Sequence, residues 1–177
     1  MTSAIRLGLV WCAACGAGSS MGRDDSSAVV AQLTSASAAV NSSVQTSLGT
    51  NEYPQAMISA DQTLPCANGG SVAVAGDLSG DLDAGATGSY SLDLMTTFAD
   101  CALGTGLVVN GAPYLTTTGT LSFQAGTLTA GAIAYSGAFT ASGDTCNIDV
   151  TIKLAAGAHP TFSATGTVCG STVKVNQ

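Results

Sequence analysis

The chain has 177 residues, of which 8% are charged, 5% aromatic and 46% hydrophobic, and its formal net charge is −7. Eleven acidic residues face only Arg6, Arg23, Lys153 and Lys174, so no basic stripe exists to release counterions from phosphate or to draw the chain onto an anionic membrane. These numbers exclude nucleic acid as a partner class, and the hydrophobic content excludes a disordered chain.

The first element is a leader. Residues 1–6, MTSAIR, carry one positive charge and no acid, and residues 7–14, LGLVWCAA, are apolar. That apolar run is far shorter than the roughly 20 residues needed to span a bilayer. A basic start, a short apolar core and small residues form the pattern of an export signal. Ala13 and Ala14 precede Cys15, and Gly16 follows it. This stretch resembles the lipobox of bacterial lipoproteins, in which the cysteine after the cleavage point is acylated. The resemblance covers the leader alone. It implies a signal peptide over 1–14, a lipid on Cys15 and a flexible tether over 15–26. Gly16, where an Asp would signal inner-membrane retention in such proteins, favours the outer membrane. Cys12 is the rival attachment site, because LVWC supplies a leucine at −3, but it would put bulky Trp11 before the cut. The Cys12/Cys15 pair has neither the βαβ context of a redox motif nor neighbouring ligands for zinc.

Residues 27–48 place apolar side chains at 29, 33, 36, 40, 44 and 48, the three-and-four spacing of one helical face. Asp25, Ser26 or Ser27 can cap the start and Gly49 the end. Residues 50–69, with Pro54 and Pro65, read as a loop containing one helical turn near 55–60.

From residue 70 to 176 the period changes to two, as expected of strands with one buried face. The clearest case is CNIDVTIKL, where Ile148, Val150, Ile152 and Leu154 alternate with Asn147, Asp149, Thr151 and Lys153. Similar stretches fall at 71–76, 88–98, 106–110, 114–123, 131–142, 161–168 and 171–176, about eight strands in all. Short turns such as NGAP, QAGT and ASGD leave no room for crossover helices, so the strands form an antiparallel meander. Glycines inside strands at 119, 131, 137 and 166 point to bulges or sharp coiling. The expected fold is α+β in one domain, 27–177: an amphipathic helix on a strongly curved antiparallel meander, an open barrel or sandwich-like sheet. A transmembrane barrel alternates too, but four Phe, four Tyr and a single leader Trp cannot form aromatic girdles.

Four cysteines remain: Cys66, Cys101, Cys146 and Cys169. An even number in an exported chain points to disulfides. Cys66 precedes the first expected strand and Cys101 follows the second, so an antiparallel hairpin brings them together, and Cys146 and Cys169 bracket a later hairpin in the same way. The expected bridges are Cys66–Cys101 and Cys146–Cys169.

The chemistry-bearing candidates are few. Asp77, Asp81 and Asp83 could gather calcium, but they lack EF-hand spacing and read better as a solvated turn. His159 is the single histidine, and no G-x-S-x-G elbow accompanies it. The expectation is therefore a non-catalytic envelope lipoprotein without a cofactor, meeting the membrane through its lipid only. The alternative is a carrier that holds a small apolar ligand or lipid within the curl of the sheet.

Overall fold

The computed structural model describes residues 21–50, 57–83, 85–103, 106–111, 114–156 and 161–176. One helix, α1 (Arg23–Thr50), precedes ten strands: β1 (Met57–Pro65), β2 (Ser71–Leu82), β3 (Gly88–Ala99), β4 (Cys101–Ala102), β5 (Val108–Asn110), β6 (Leu115–Gln124), β7 (Thr127–Ala141), β8 (Asp144–Ala155), β9 (Thr161–Val168) and β10 (Ser171–Asn176). All ten belong to one antiparallel sheet with the path β1-β2-β3-β6-β7-β8-β9-β10. The fold is thus mostly β, with one helix, broadly α+β. The sheet is not closed into a barrel, since β1 and β10 are its two edges.

The helix begins four residues before the expected start at 27. Gly22 explains the difference. Its N–H donates to Asp25 Oδ2 at 3.0 Å, the reach-back half of a capping box, and Asp24 and Asp25 complement the positive end of the helix. A Ser-rich sequence is a mediocre helix former because its hydroxyls compete for backbone groups. Here they bond within the helix: Ser27, Thr34, Ser35, Ser37, Ser42, Ser43 and Thr46 each donate to the carbonyl four residues back. The helix is then held by burial of Val29, Leu33, Ala36, Val40 and Val44, five positions of the expected stripe; the side chain of the sixth, Leu48, lies outside the described residues.

Residues 57–65 correct the expected loop and helical turn. They form β1, paired with β2 from Met57↔Ser79 to Pro65↔Ser71. Ile58 and Ala60 are buried and Gln62 and Leu64 half-buried, alternating with exposed Met57, Ser59, Asp61 and Thr63. The alternation is faint because one buried side chain is only an alanine. Pro65 is tolerated because it ends an edge strand, where its missing N–H costs no ladder bond.

Residues 101–110 make a second departure. The strand expected at 106–110 is not a member of the meander: Val108 and Val109 of β5 pair with Ala102 and Cys101 of β4, and β5 also pairs with β7 at Val109↔Ala141 and Asn110↔Thr140. β3 therefore pairs directly with β6. Between β6 and β7 the register shifts at Ser122/Phe123, a bulge. Of the four strand glycines expected to mark bulges or coiling, 119, 137 and 166 adopt positive φ, as do Gly76 of β2 and Gly88 of β3.

Register fixes what each face carries. Leu94, Thr117, Tyr135, Val150 and Gly166 lie in one row on the helix side. Asp77, Asp93, Thr118, Ala134, Thr151, Thr165 and Lys174 form a row on the other side. The helix side supplies the core, where Tyr90, Tyr135, Phe139, Leu121, Ile133 and Ile152 are fully buried with Leu33 of the helix. α1 touches both edge strands, β1 and β10, as well as β2 and the interior strand β7.

Candidate functional site

Three places concentrate polar or sulfur chemistry, and each is set by the strand pattern. The first is the end of the sheet at which β1, β3, β7 and β9 finish. Cys66 and Cys101 are disulfide-bonded with Cα atoms 5.4 Å apart, and Cys146 and Cys169 with Cα atoms 4.7 Å apart. The 66–70 turn is knitted to β4 by Ala102 N–H to Gly69 O at 2.9 Å and Asn68 N–H to Ala102 O at 3.0 Å. Gly70 is required there. It has φ of 71°, and a Cβ on it would sit inside the backbone of Asp100. At the second bridge, Cys169 takes φ of 51° while its N–H donates to Asn147 O at 2.8 Å. The buried Met21 thioether lies against the Cys169 sulfur. With all four sulfurs bonded in pairs, these cysteines are neither metal ligands nor nucleophiles in this state.

The second place is the helix–sheet contact. Ser37 Oγ donates to Leu33 O at 3.0 Å and shares a 2.7 Å hydrogen bond with the Tyr135 hydroxyl, which is also 3.3 Å from Leu33 O. Burial pushes the Tyr135 phenol up to about 12, and the bond with Ser37 offsets part of that rise. A second buried hydroxyl pair, Thr96 and Thr117, is 2.8 Å apart between β3 and β6. Asn41 Oδ1 is enclosed without a hydrogen-bond partner among the described residues. Among the described residues, the buried polar side chains are Ser26, Ser37, Thr96 and Thr117, all hydroxyls.

The third place is the acidic stretch at the opposite end. Asp83 Oδ1 accepts the N–H groups of Gly85 and Thr87, each at 2.9 Å, and so closes the β2–β3 turn. Asp77 accepts the Ser59 hydroxyl at 2.8 Å. Asp77 lies within β2 and Asp83 directly follows its last residue, six residues further on, so at about 3.3 Å per residue about 20 Å separates them. The Asp81 side chain lies outside the described residues. Asp77 is instead paired with Asp93 across β2 and β3, an opposition of like charges that costs stability. Among the described residues no group of three or more His, Cys, Asp or Glu gathers. Cys12, Cys15 and His159 lie outside the described residues.

The sequence announced the cysteine pairs through their hairpin spacing. It did not announce Ser37 or the Thr96–Thr117 pair. Ser37 falls beside the apolar positions 33, 36 and 40, so a small hydroxyl on the core edge of the helix was the available signal. Thr117 sits in a run of three threonines whose middle member faces inward by strand parity alone.

No family model matches the chain, and neither a curated protein nor a solved structure matches it.

Proposed function

We propose that this chain is a non-catalytic lipoprotein of the cell envelope, anchored to the outer membrane through an acyl chain on Cys15. Its disulfide-stapled β domain then serves as a structural or binding module. The leader supports the anchor: a basic start, a short apolar core and AAC-G at 13–16. The two disulfides suit an oxidising compartment.

In this reading the sheet is strongly curved and wraps the helix. Contact of one helix with both edge strands and with interior β7 supports the curvature. So does Gly166, which adopts φ of 148° on the helix side where a Cβ would meet the Asp149 carbonyl of β8.

The observation that carries the module over the carrier is the occupied helix side. Val29, Leu33 and Val44 are all 0% exposed there, among the large side chains of the sheet. A carrier needs that volume for its ligand, and a chain with so few bulky residues gains more by filling it. The test is titration of the purified protein with an apolar fluorescent probe, with lipid analysis of its solvent extract. The module binds no probe stoichiometrically and releases no lipid beyond its own acyl chains. Saturable one-to-one binding would establish the carrier.

A further inference from the structure

The buried position of Met21 gives the anchor a direction. Met21 packs against Cys169 in the β9–β10 turn, Gly22 is bonded to Asp25, and the helix starts at Arg23. The chain is therefore fixed to that turn from residue 21 onward. Cys15 and Met21 are six residues apart (21 less 15), a span of at most about 20 Å when extended. β7 alone has 15 residues, about 50 Å of strand along its contour, more than twice the reach of the tether.

We propose that the disulfide-bearing end of the sheet faces the lipid surface, held there by this short tether, and that the opposite turns project away. The proposal rests on the reading of Cys15 as the acylated residue. The turns at the near end are 66–70, 142–143 and 169–170; those at the far end are 83–87 and 125–126. The near turn tips are small, neutral and exposed: Asn68, Gly69, Ser142, Gly143 and Gly170. They approach headgroups without burying a charge. Asp100 and Asp144 at this end add no attraction to anionic lipid, so the surface it fits is zwitterionic. The face turned outward to a partner is then the far end, around Asp83 and Gln124.

The single tryptophan is Trp11 of the leader, so the processed chain carries none and one introduced Trp reports alone. Asn68→Trp and Gln124→Trp, both at exposed positions, are reconstituted as acylated protein in phosphatidylethanolamine–phosphatidylcholine vesicles containing a headgroup nitroxide lipid. The orientation predicts several-fold stronger quenching at 68 than at 124. A flexible Gly-Ser insertion after Ser19 should bring the two toward equality. Equal or reversed quenching in acylated protein overturns the orientation and leaves the anchor standing. Undiminished quenching at 68 with the long tether shows direct docking and overturns the tether as its cause. Absence of an acyl chain by mass spectrometry overturns the anchor, and the orientation with it.

Discussion

The hydroxyls of Ser37 and Tyr135 lie 2.7 Å apart across the contact between helix and sheet, 98 residues apart in sequence. This bond ties the one helix to an interior strand at a point where both partners are buried. Burial of the Tyr135 phenol at this point also makes the domain alkali-sensitive. An unfolded phenol ionises near 10, whereas the folded Tyr135 does so only at about 12. A raised folded value means that stability is intact below pH 10 and falls as pH rises from 10 through 12, by on the order of 2 kcal/mol. Tyr135→Phe should flatten that limb in denaturant titrations, at a cost of about 1 kcal/mol at neutral pH, because Ser37 keeps its bond to Leu33 O. An unchanged alkaline limb would show that Tyr135 is not the group responsible.

Leu33 is fully buried at the centre of the helix stripe. Leu33→Ala should cost about 2–5 kcal/mol, measured by chemical unfolding. A loss below about 1 kcal/mol, the scale of a surface change, would mean that the helix does not complete the core.

Thr96 and Thr117 satisfy each other in an apolar setting. Changing either one alone to Val should cost about 1–3 kcal/mol, since it strands the remaining hydroxyl, and changing both should be close to neutral. A double-mutant cycle measures this directly. Strictly additive losses would mean that each hydroxyl has another partner.

The bridges span 35 and 23 residues of sequence. On the chain-entropy model each contributes about 3–4 kcal/mol. Non-reducing peptide mapping should recover Cys66 with Cys101 and Cys146 with Cys169, and each Cys→Ala pair should lower the unfolding midpoint. Recovery of Cys66 with Cys146 or Cys169 would contradict the strand order as well as the bridges.

Where the sequence could be read, period was the reason. Ile148, Val150 and Ile152 alternate cleanly with polar neighbours, and Val29, Leu33, Ala36, Val40 and Val44 keep helical spacing, so both elements and the faces they bury were legible. β1 was obscured because Ala60 stands where a larger apolar residue would have signalled a strand, and because Pro65 suggested a loop. The β4–β5 hairpin was hidden for another reason. Its pairing with β7 depends on contacts 30 and 32 residues away, and no local pattern encodes them. Register placed Asp77 opposite Asp93, which spacing among Asp77, Asp81 and Asp83 could not convey. Cap chemistry explains the early start of the helix: the donor at Gly22 is a backbone N–H, invisible to a search for capping side chains.

The proposed acylation of Cys15 underlies both the role and the orientation proposed for this domain, and the mass of the amino-terminal peptide tests it most directly. Protein extracted from membranes with detergent and cut by protease should yield a peptide that begins at Cys15, carries acyl chains on that residue, and continues Gly16-Ala17-Gly18. Cys15→Ser should abolish the modification and release the domain from the membrane fraction. An unmodified Cys15, or acyl chains on Cys12 ahead of an intact Ala13-Ala14-Cys15, would contradict the account.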